Sequence, residues 1–261
     1  MGAGEDARGG VDGGPDGRDV FAGIPEDSGY DARVNRLAAL VVALATAIVI
    51  VTVVILPFLT PQWIGFEQSR AQAEAWTGYT TEQLRTATDA IVGDLVFGGD
   101  YAVTIDGQAV LEPRERSHMV DVRSVFRGLW ILATISVVVL GVAARRADRV
   151  AAWRAVRGGA IGLAIGTVVV GVVGLVAFDQ LFETFHEIFF PAGSFLFDPR
   201  TDKLVQLFPF DFWQETALVV GAAIVVVSVA VAVVAGRRAA RAGERASAPE
   251  LRAVTESGAR A

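Results

Sequence analysis

Residues 37–59 read LAALVVALATAIVIVTVVILPFL and contain no charged side chain. At about 1.5 Å of rise per residue, a helix of this length crosses the ~30 Å hydrocarbon core of a bilayer. A second uncharged run, residues 217–235, reads ALVVGAAIVVVSVAVAVVA. Residues 125–144 and 155–178 are also apolar and carry one arginine each. The sequence therefore predicts an all-α membrane protein with four transmembrane helices.

The composition excludes several classes of function. Hydrophobic residues make up 52% of the chain, the formal net charge is -6, and there is no cysteine. An acidic chain does not favour nucleic acid as a partner, because phosphate binding needs a basic surface. Without cysteine there are no disulfides, thiolate metal sites or cysteine nucleophiles. No nucleotide-binding loop is found, and we expect no cofactor.

Arginines next to the predicted spans indicate the orientation of the chain. Basic loops remain on the cytoplasmic side of a membrane. The arginines lie between spans two and three and after span four: Arg145, Arg146, Arg149, Arg154, Arg237, Arg238 and Arg241. We therefore expect both termini in the cytoplasm of a bacterium, and residues 61–124 and 179–216 on the outer side of its plasma membrane.

The two ends of the chain are polar. Residues 1–36 are rich in Gly, Asp and Glu and lack the basic start and early apolar stretch of a signal peptide. We expect them to form a disordered cytoplasmic tail. Residues 237–261 are expected to form an Arg-rich cytoplasmic tail.

The first outer segment has the signals of a small α+β cap. Thr80 and Gln83 have the spacing of a capping box and predict a short helix over residues 81–97, with Leu84, Ala87, Ile91 and Leu95 on one face. Residues 101–105 and 108–111 are strand-like and flank Asp106-Gly107, a dipeptide typical of type I′ hairpin turns. From Pro113 we expect a helix that continues into span two.

Two further patterns concern packing. Gly158, Gly162 and Gly166 are spaced by four residues in span three, which predicts close packing against a neighbouring helix. The second outer segment is dense in aromatic residues. Such rings favour an interfacial belt at the headgroup layer, and the alternative is a shelf on which acyl chains lie. Pro191 is expected to end the helix that leaves span three.

The chain has two histidines, His118 and His186, one in each outer segment. On a helix, His118 faces Asp121 at i, i+3, and Glu183 precedes His186 by the same spacing. Each carboxylate is therefore a candidate to orient its histidine for proton transfer. A surface ion pair at each place is the alternative.

Other chemistries fit the sequence less well. Glu115 and Glu183 each precede a histidine at the Glu-x-x-His spacing of di-iron bundles, but spans one and four lack the further acids of such a site, so we expect no metal. Ser117 adjoins His118 without a nucleophile elbow. Arg123 and Arg127 lie one turn apart at the start of span two, where they reach lipid phosphates or, alternatively, a substrate headgroup or carbonyl.

Several motifs in the outer segments together resemble a known family. They are His118-Met119-x-Asp121-Val122, Phe185-His186-x-x-Phe189-Phe190, Phe197-Asp198-Pro199-x-x-Asp202, Phe208-Pro209-x-x-Phe212-Trp213 and Trp76-x-Gly-Tyr79. This combination resembles the four-span bacterial membrane family that contains lipoprotein intramolecular transacylase, called Lit. The resemblance covers residues 37–236, and the long polar tails depart from it.

The resemblance implies an acyltransferase with a cleft between an extracytoplasmic cap and the membrane. Members of the characterised branch move the sn-2 acyl chain of a diacylglyceryl lipoprotein to the α-amine of its own N-terminal cysteine. His118 and His186 match the two catalytic histidines, and Arg123, Arg127, Phe189 and Trp213 are candidates for substrate contact. Two alternatives stay open: another lipid acyl hydrolase or transferase, and a non-enzymatic membrane protein whose cap binds lipid or a partner.

Overall fold

The computed structural model describes residues 28–258, with side-chain surroundings for residues 33–248. Four helices in this part are long and apolar enough to cross a membrane, which confirms the predicted spans. The helices are α1 (Ser28–Ile55), α2 (Pro61–Arg70), α3 (Ala73–Thr77), α4 (Thr81–Phe97), α5 (Pro113–Arg146), α6 (Arg149–Phe189), α7 (Lys203–Leu207) and α8 (Phe210–Gly258). A 3-10 helix, Leu56–Leu59, follows α1. The strands are β1 (Thr104–Ile105) and β2 (Gln108–Ala109).

The long helices extend beyond the apolar runs. Because α1 begins at Ser28, the expectation of disorder is wrong for residues 28–36, while residues 1–27 lie outside the described residues. The Arg-rich segment after span four continues α8 as far as Gly258. Adding a residue to an existing helix costs far less than starting one, and Ala, Arg and Glu are good helix formers.

Three of the long helices share a buried core. Ile50 and Val54 of α1 pack with Ala160 of α6 and with Ile224 and Ala232 of α8. Many other valines, leucines and isoleucines of these helices are exposed. In a helix that crosses a bilayer, such side chains face lipid tails, which are as apolar as a protein core.

The glycine pattern of span three was interpreted wrongly. A Cβ atom added at Gly158, Gly162 or Gly166 would meet nothing within 4 Å, so the predicted stripe does not pack within this chain. The close contact is made by Gly159 instead, where an added Cβ would lie 2.3 Å from the backbone oxygen of Ala43. Here α1 and α6 approach so closely that only glycine fits.

Helix α4 has the bounds predicted for it, Thr81–Phe97, and the predicted capping box at its start. Thr80 caps its first turn, and the side chain of Gln83 returns a hydrogen bond to the backbone N–H of Thr80, which completes the capping box. Its buried face contains Leu84, Ala87 and Ile91. These side chains belong to a core that also contains Tyr101.

The hairpin forms around the predicted turn but is shorter than predicted. Asp106 and Gly107 have φ angles of 51° and 76°, as a type I′ turn requires. The strands cover residues 104–105 and 108–109 rather than 101–105 and 108–111. Tyr101 cannot start a strand because its φ is +56°, while its backbone N–H donates to a carboxylate oxygen of Asp94 at 2.8 Å.

Residues 61–124 and 179–216, called the head region below, share this core. It includes Leu111 and Met119 near the start of α5, and Leu204 and Leu207 of α7. As predicted, α5 begins at Pro113 and continues into the second span, and α6 ends at Phe189, two residues before Pro191. The short helices α2, α3 and α7 were not predicted from the sequence.

Candidate active site in the head region

The first turns of α5 lie in the head region and not in the apolar span. Residues 113–124 include six ionisable side chains, which a bilayer core does not accommodate. Glu115 is fully buried, and its carboxylate accepts hydrogen bonds from the backbone N–H groups of Glu112 at 2.7 Å and Leu204 at 2.6 Å. Burial raises the pKa of Glu115, and these two N–H groups act against that increase. They attach the start of α5 to α7.

His118 lies one turn after Glu115 and meets His186 of α6. The centroids of the two imidazole rings are 6.0 Å apart, with an angle of 22° between the ring planes. The two histidines are 68 positions apart in the sequence, and the fold stacks them on each other. A reacting group a few ångströms across can contact both rings.

Aromatic side chains surround the pair. The ring of Phe190 is 4.8 Å from that of His118 and 5.3 Å from that of His186. Phe197 lies 5.4 Å from His118, and Phe195 lies 5.2 Å from His186. His118 is 6% exposed, whereas His186 is half-buried, so small molecules reach the pair from the side of His186.

One hydrogen bond defines the tautomer of His186. Its Nδ1 lies 2.7 Å from the backbone carbonyl oxygen of Phe182, one turn earlier in α6. Because a carbonyl oxygen only accepts, Nδ1 carries the proton and donates it, and Nε2 keeps a free lone pair. Among the described residues, Nδ1 of His118 is buried and has no hydrogen-bond partner.

Both rings are neutral near pH 7. Burial lowers the pKa of His118 from 6.5 to about 4; a positive charge on His186 acts in the same direction, and Asp121 opposes it. Burial also lowers the pKa of His186, and the hydrogen bond to the Phe182 carbonyl acts against that decrease. A neutral imidazole accepts a proton, and a low pKa means that it gives the proton up again readily.

The predicted orienting carboxylates do not hydrogen-bond to the histidines. His186 uses the carbonyl of Phe182 where Glu183 was expected, and Glu183 is exposed. Asp121 influences His118 through its charge, but no hydrogen bond joins the two side chains within residues 33–248.

Arg114 connects the start of α5 to the loop before α7. Its guanidinium donates to the buried carboxylate of Asp202 at 2.6 Å and to the backbone oxygen of Leu196 at 2.8 Å. It also lies 4.9 Å from the centroid of the Phe197 ring, which contacts His118. The family motifs include Phe197 and Asp202, but no local pattern in the sequence indicates Arg114 as their partner.

The arginines proposed for substrate contact differ in their surroundings. Arg123 donates to the backbone oxygens of Gly99 at 2.5 Å and Asp94 at 3.4 Å, and it lies 5.3 Å from the Tyr101 ring. These contacts attach the loop after α4 to α5. Arg127 is exposed, and its guanidinium lies beside Gly98.

The two aromatic candidates lie one ring away from the histidine pair. Phe189 is 49% exposed and contacts Phe185, whose ring is 5.4 Å from His186. Trp213 is 42% exposed and lies 6.2 Å from Phe182, whose ring is 4.3 Å from His186. Together these rings form an apolar surface that leads from the exterior to His186.

Metal ligands do not gather around the pair. In the part of the chain that the structure describes, no group of three or more His, Asp or Glu side chains is placed to hold a metal ion. Glu115, one of the acids considered for such a site, binds backbone N–H groups instead. The chemistry that this arrangement supports is proton transfer between two imidazoles in a partly apolar environment.

Comparisons with known proteins identify relatives. The model of the family described as "Lipoprotein intramolecular transacylase Lit" matches residues 38–213. The solved structure of the membrane-integral transacylase Lit from Bacillus cereus has a TM-score of 0.66 at 17% identity, and the match covers 82% of this chain and 98% of that chain. A variant of that protein with one histidine changed to arginine has a TM-score of 0.67 at 18% identity, and covers 85% of this chain and 98% of that chain. No curated protein matches the sequence.

Proposed function

The chain belongs to the lipoprotein intramolecular transacylase family, and from this premise we propose that it moves the sn-2 acyl chain of a diacylglyceryl lipoprotein to the α-amine of that lipoprotein's N-terminal cysteine. The product is a lyso-form lipoprotein with an N-acyl cysteine. The observation that carries the proposal is the stacking of His118 on His186, with 6.0 Å between the ring centroids.

The proposed orientation places the head region on the outer side of a bacterial plasma membrane, as an extracytoplasmic cap. The arginines at the other ends of α5, α6 and α8 support this orientation, because basic segments remain cytoplasmic. In this orientation the histidine pair lies where the outer leaflet meets the cap. The lipid anchor of a lipoprotein is found at that level.

The transfer needs one base and one acid. The neutral amine attacks the ester carbonyl, an N–C bond forms, and the C–O bond to glycerol breaks. The amine nitrogen loses one proton and the glyceryl oxygen gains one, so the two rings together hold one extra proton between these steps. His186 takes that proton at Nε2, because its Nδ1–H is already committed to the Phe182 carbonyl. His118, whose neutral ring carries one N–H, donates that proton to the glyceryl oxygen and takes one back from His186, so both rings end neutral.

The substrate supplies both reacting groups, so the site mainly needs to hold them together. Holding two groups of one molecule in reactive geometry removes much of the entropic cost of their encounter. Phe189 and Trp213 are positioned to contact the acyl chains, and Arg127 to contact a carbonyl or phosphate oxygen. Arg123 acts through the cap and Asp121 through its charge, whereas Glu183 is exposed and contacts neither ring.

Mass spectrometry of a reporter lipoprotein tests the proposal. The chain is expressed in a bacterium whose lipoproteins keep a free α-amine. Wild type should shift one acyl chain from glycerol to nitrogen, and His118→Ala and His186→Ala should each reduce the shift about 100-fold or more. Glu183→Gln is the matched control. Its acyl shift should stay within about threefold of that of wild type, because Glu183 does not contact either ring.

Other results would favour other functions. Release of a free fatty acid without N-acylation would indicate a lipid hydrolase at the same two histidines. A well-folded wild type that leaves the lipoprotein unchanged would favour a cap that only binds lipid. Normal N-acylation by a well-folded His186→Ala variant would overturn the two-histidine mechanism.

A further inference from the structure

A cavity lies at the end of the molecule opposite the histidine pair. Its volume is about 410 Å³, and it is formed by the first turns of α6 and by the part of α8 that follows the apolar run. This volume lies within the range of ~300–1,000 Å³ that is usual for ligand sites. Gly236 and Gly243 line it at successive levels of α8. The cavity therefore begins where the hydrocarbon core ends and extends into the headgroup layer.

Two arginines line the cavity. Arg154 and Arg157 both lie on α6, at i, i+3, and therefore face the same side. Two like charges at this spacing disfavour the helix unless an anion lies between them. Neither forms an ion pair with an acid among residues 33–248. Two guanidinium groups of one cavity are thus available to an anion.

The side chain of Arg157 is exposed and passes close to α8. A Cβ atom added at Gly236 would lie 3.4 Å from Cδ and Nε of Arg157. The absence of a side chain at Gly236 therefore lets the Arg157 side chain lie along the backbone of α8. Its guanidinium is therefore open to a ligand that enters between α6 and α8.

The surroundings of the cavity are those of a headgroup layer. Residues 145–157 and 236–245 contain nine arginines and two acids, Asp148 and Glu244. Arg238 lies 5.2 Å from the centroid of the Trp153 ring. Tryptophan and arginine are both enriched where membranes meet water, and basic pockets between transmembrane helices on the cytoplasmic side bind phospholipid headgroups.

We propose that this cavity binds the phosphate of one anionic phospholipid of the cytoplasmic leaflet, between Arg154 and Arg157. The lipid tails run along the exposed apolar faces of α6 and α8. Glu244 lines the same cavity and favours a headgroup with hydroxyl donors, because a carboxylate accepts hydrogen bonds from hydroxyl groups. Phosphatidylglycerol has this chemistry. The site lies outside the proposed transacylase cleft; it rests on the proposed orientation of the chain but not on the transacylase activity.

Native mass spectrometry of the full-length protein in detergent tests this site. The probes are phosphatidylglycerol, phosphatidylcholine with the same acyl chains, and inorganic phosphate. We expect one tightly bound phosphatidylglycerol per chain. Arg154→Gln with Arg157→Gln should weaken that binding at least about 30-fold, because the charge-assisted hydrogen bonds of two guanidinium groups to the phosphate are lost.

The control removes the same charge at the same end of the molecule. Arg145→Gln with Arg146→Gln lies outside the cavity and should change the affinity by less than about threefold. Gly243→Leu keeps every charge, fills the cavity, and should also weaken binding. Equal losses of affinity in both double variants would mean that the arginines attract the lipid only through their general positive charge, and would overturn the proposal. Equally strong binding of phosphatidylcholine, or of inorganic phosphate, would overturn it as well.

Discussion

His186 bonds to a backbone carbonyl and not to the predicted carboxylate, and the geometry of helices explains why. Helical side chains tilt toward the N-terminus of their helix, so the ring of residue 186 passes directly over the carbonyl of Phe182. Glu183 has the right spacing but points its charge into solvent. Sequence spacing identified the two histidines because the chain has only two, but it could not identify their hydrogen-bond partners.

The lowered pKa of His118 makes stability depend on pH. The pKa is 6.5 when the ring is in water and about 4 in the folded protein, so the unfolded chain binds more protons between these values. This contribution to stability is fully present above about pH 6.5 and is lost as the pH falls toward 4, by roughly 3 kcal/mol in total. We expect a lower thermal unfolding midpoint in detergent at about pH 5 than at about pH 7.5.

The variant His118→Phe isolates this contribution. It keeps an aromatic ring beside Phe190 and Phe197 but cannot bind a proton. Its unfolding midpoint should therefore change less between the two pH values than that of wild type. An equal change of the midpoint in both proteins would mean that folding does not lower the pKa of His118.

The contact between Arg114 and Asp202 should respond unequally to the loss of each partner. Arg114→Ala leaves the carboxylate of Asp202 buried and short of one donor, which costs about 2 to 4 kcal/mol. Asp202→Asn leaves a half-exposed guanidinium that water can solvate, and should cost about 1 kcal/mol. Unfolding midpoints of the two variants measure this difference. A larger loss in Asp202→Asn would contradict it.

The start of α4 and the turn of the hairpin were predicted correctly because each has a local sequence signal. A capping box set the start of α4, and Asp106-Gly107 set the turn of the hairpin. Tertiary contacts decide the rest. Tyr101 leaves the strand because Asp94 and Arg123 hold it in a left-handed conformation, and no local pattern indicates those partners. Helix α7 has five residues and is stabilised by packing, which a single sequence does not display.

Two neighbouring glycines of α6 test how α1 and α6 pack. Gly159→Ala places a methyl group 2.3 Å from the backbone oxygen of Ala43, so the helices must move apart, at a cost of about 2 to 3 kcal/mol. Gly162→Ala meets open space and should be neutral or stabilise by up to about 1 kcal/mol. The unfolding midpoints of the two variants in detergent provide the comparison. Equal losses of stability in the two variants would mean that Gly162 also packs closely against a helix, as the four-residue spacing predicted.

At the scale of the whole molecule, the sequence contained enough information for the number of spans because that number depends only on length and hydropathy. Predicting that the two histidines meet would require more information than length and hydropathy. It depends on α5 continuing from the head region into the second span, on α6 continuing from the third span into the head region, and on both helices reaching the same level. The continuity of α5 was predicted from Pro113, but the level at which the rings meet is set by packing in the head core.

The orientation can be tested because the chain has no cysteine of its own. A single cysteine at Asp106, in the exposed hairpin turn, should react with a membrane-impermeant maleimide in intact cells whose outer barrier has been removed. A single cysteine at Asp148, between α5 and α6, should react only after the membrane is opened, because the proposed orientation places that arginine-rich loop in the cytoplasm. The reverse pattern would place His118 and His186 on the cytoplasmic side, away from the lipoprotein anchors that they are proposed to modify.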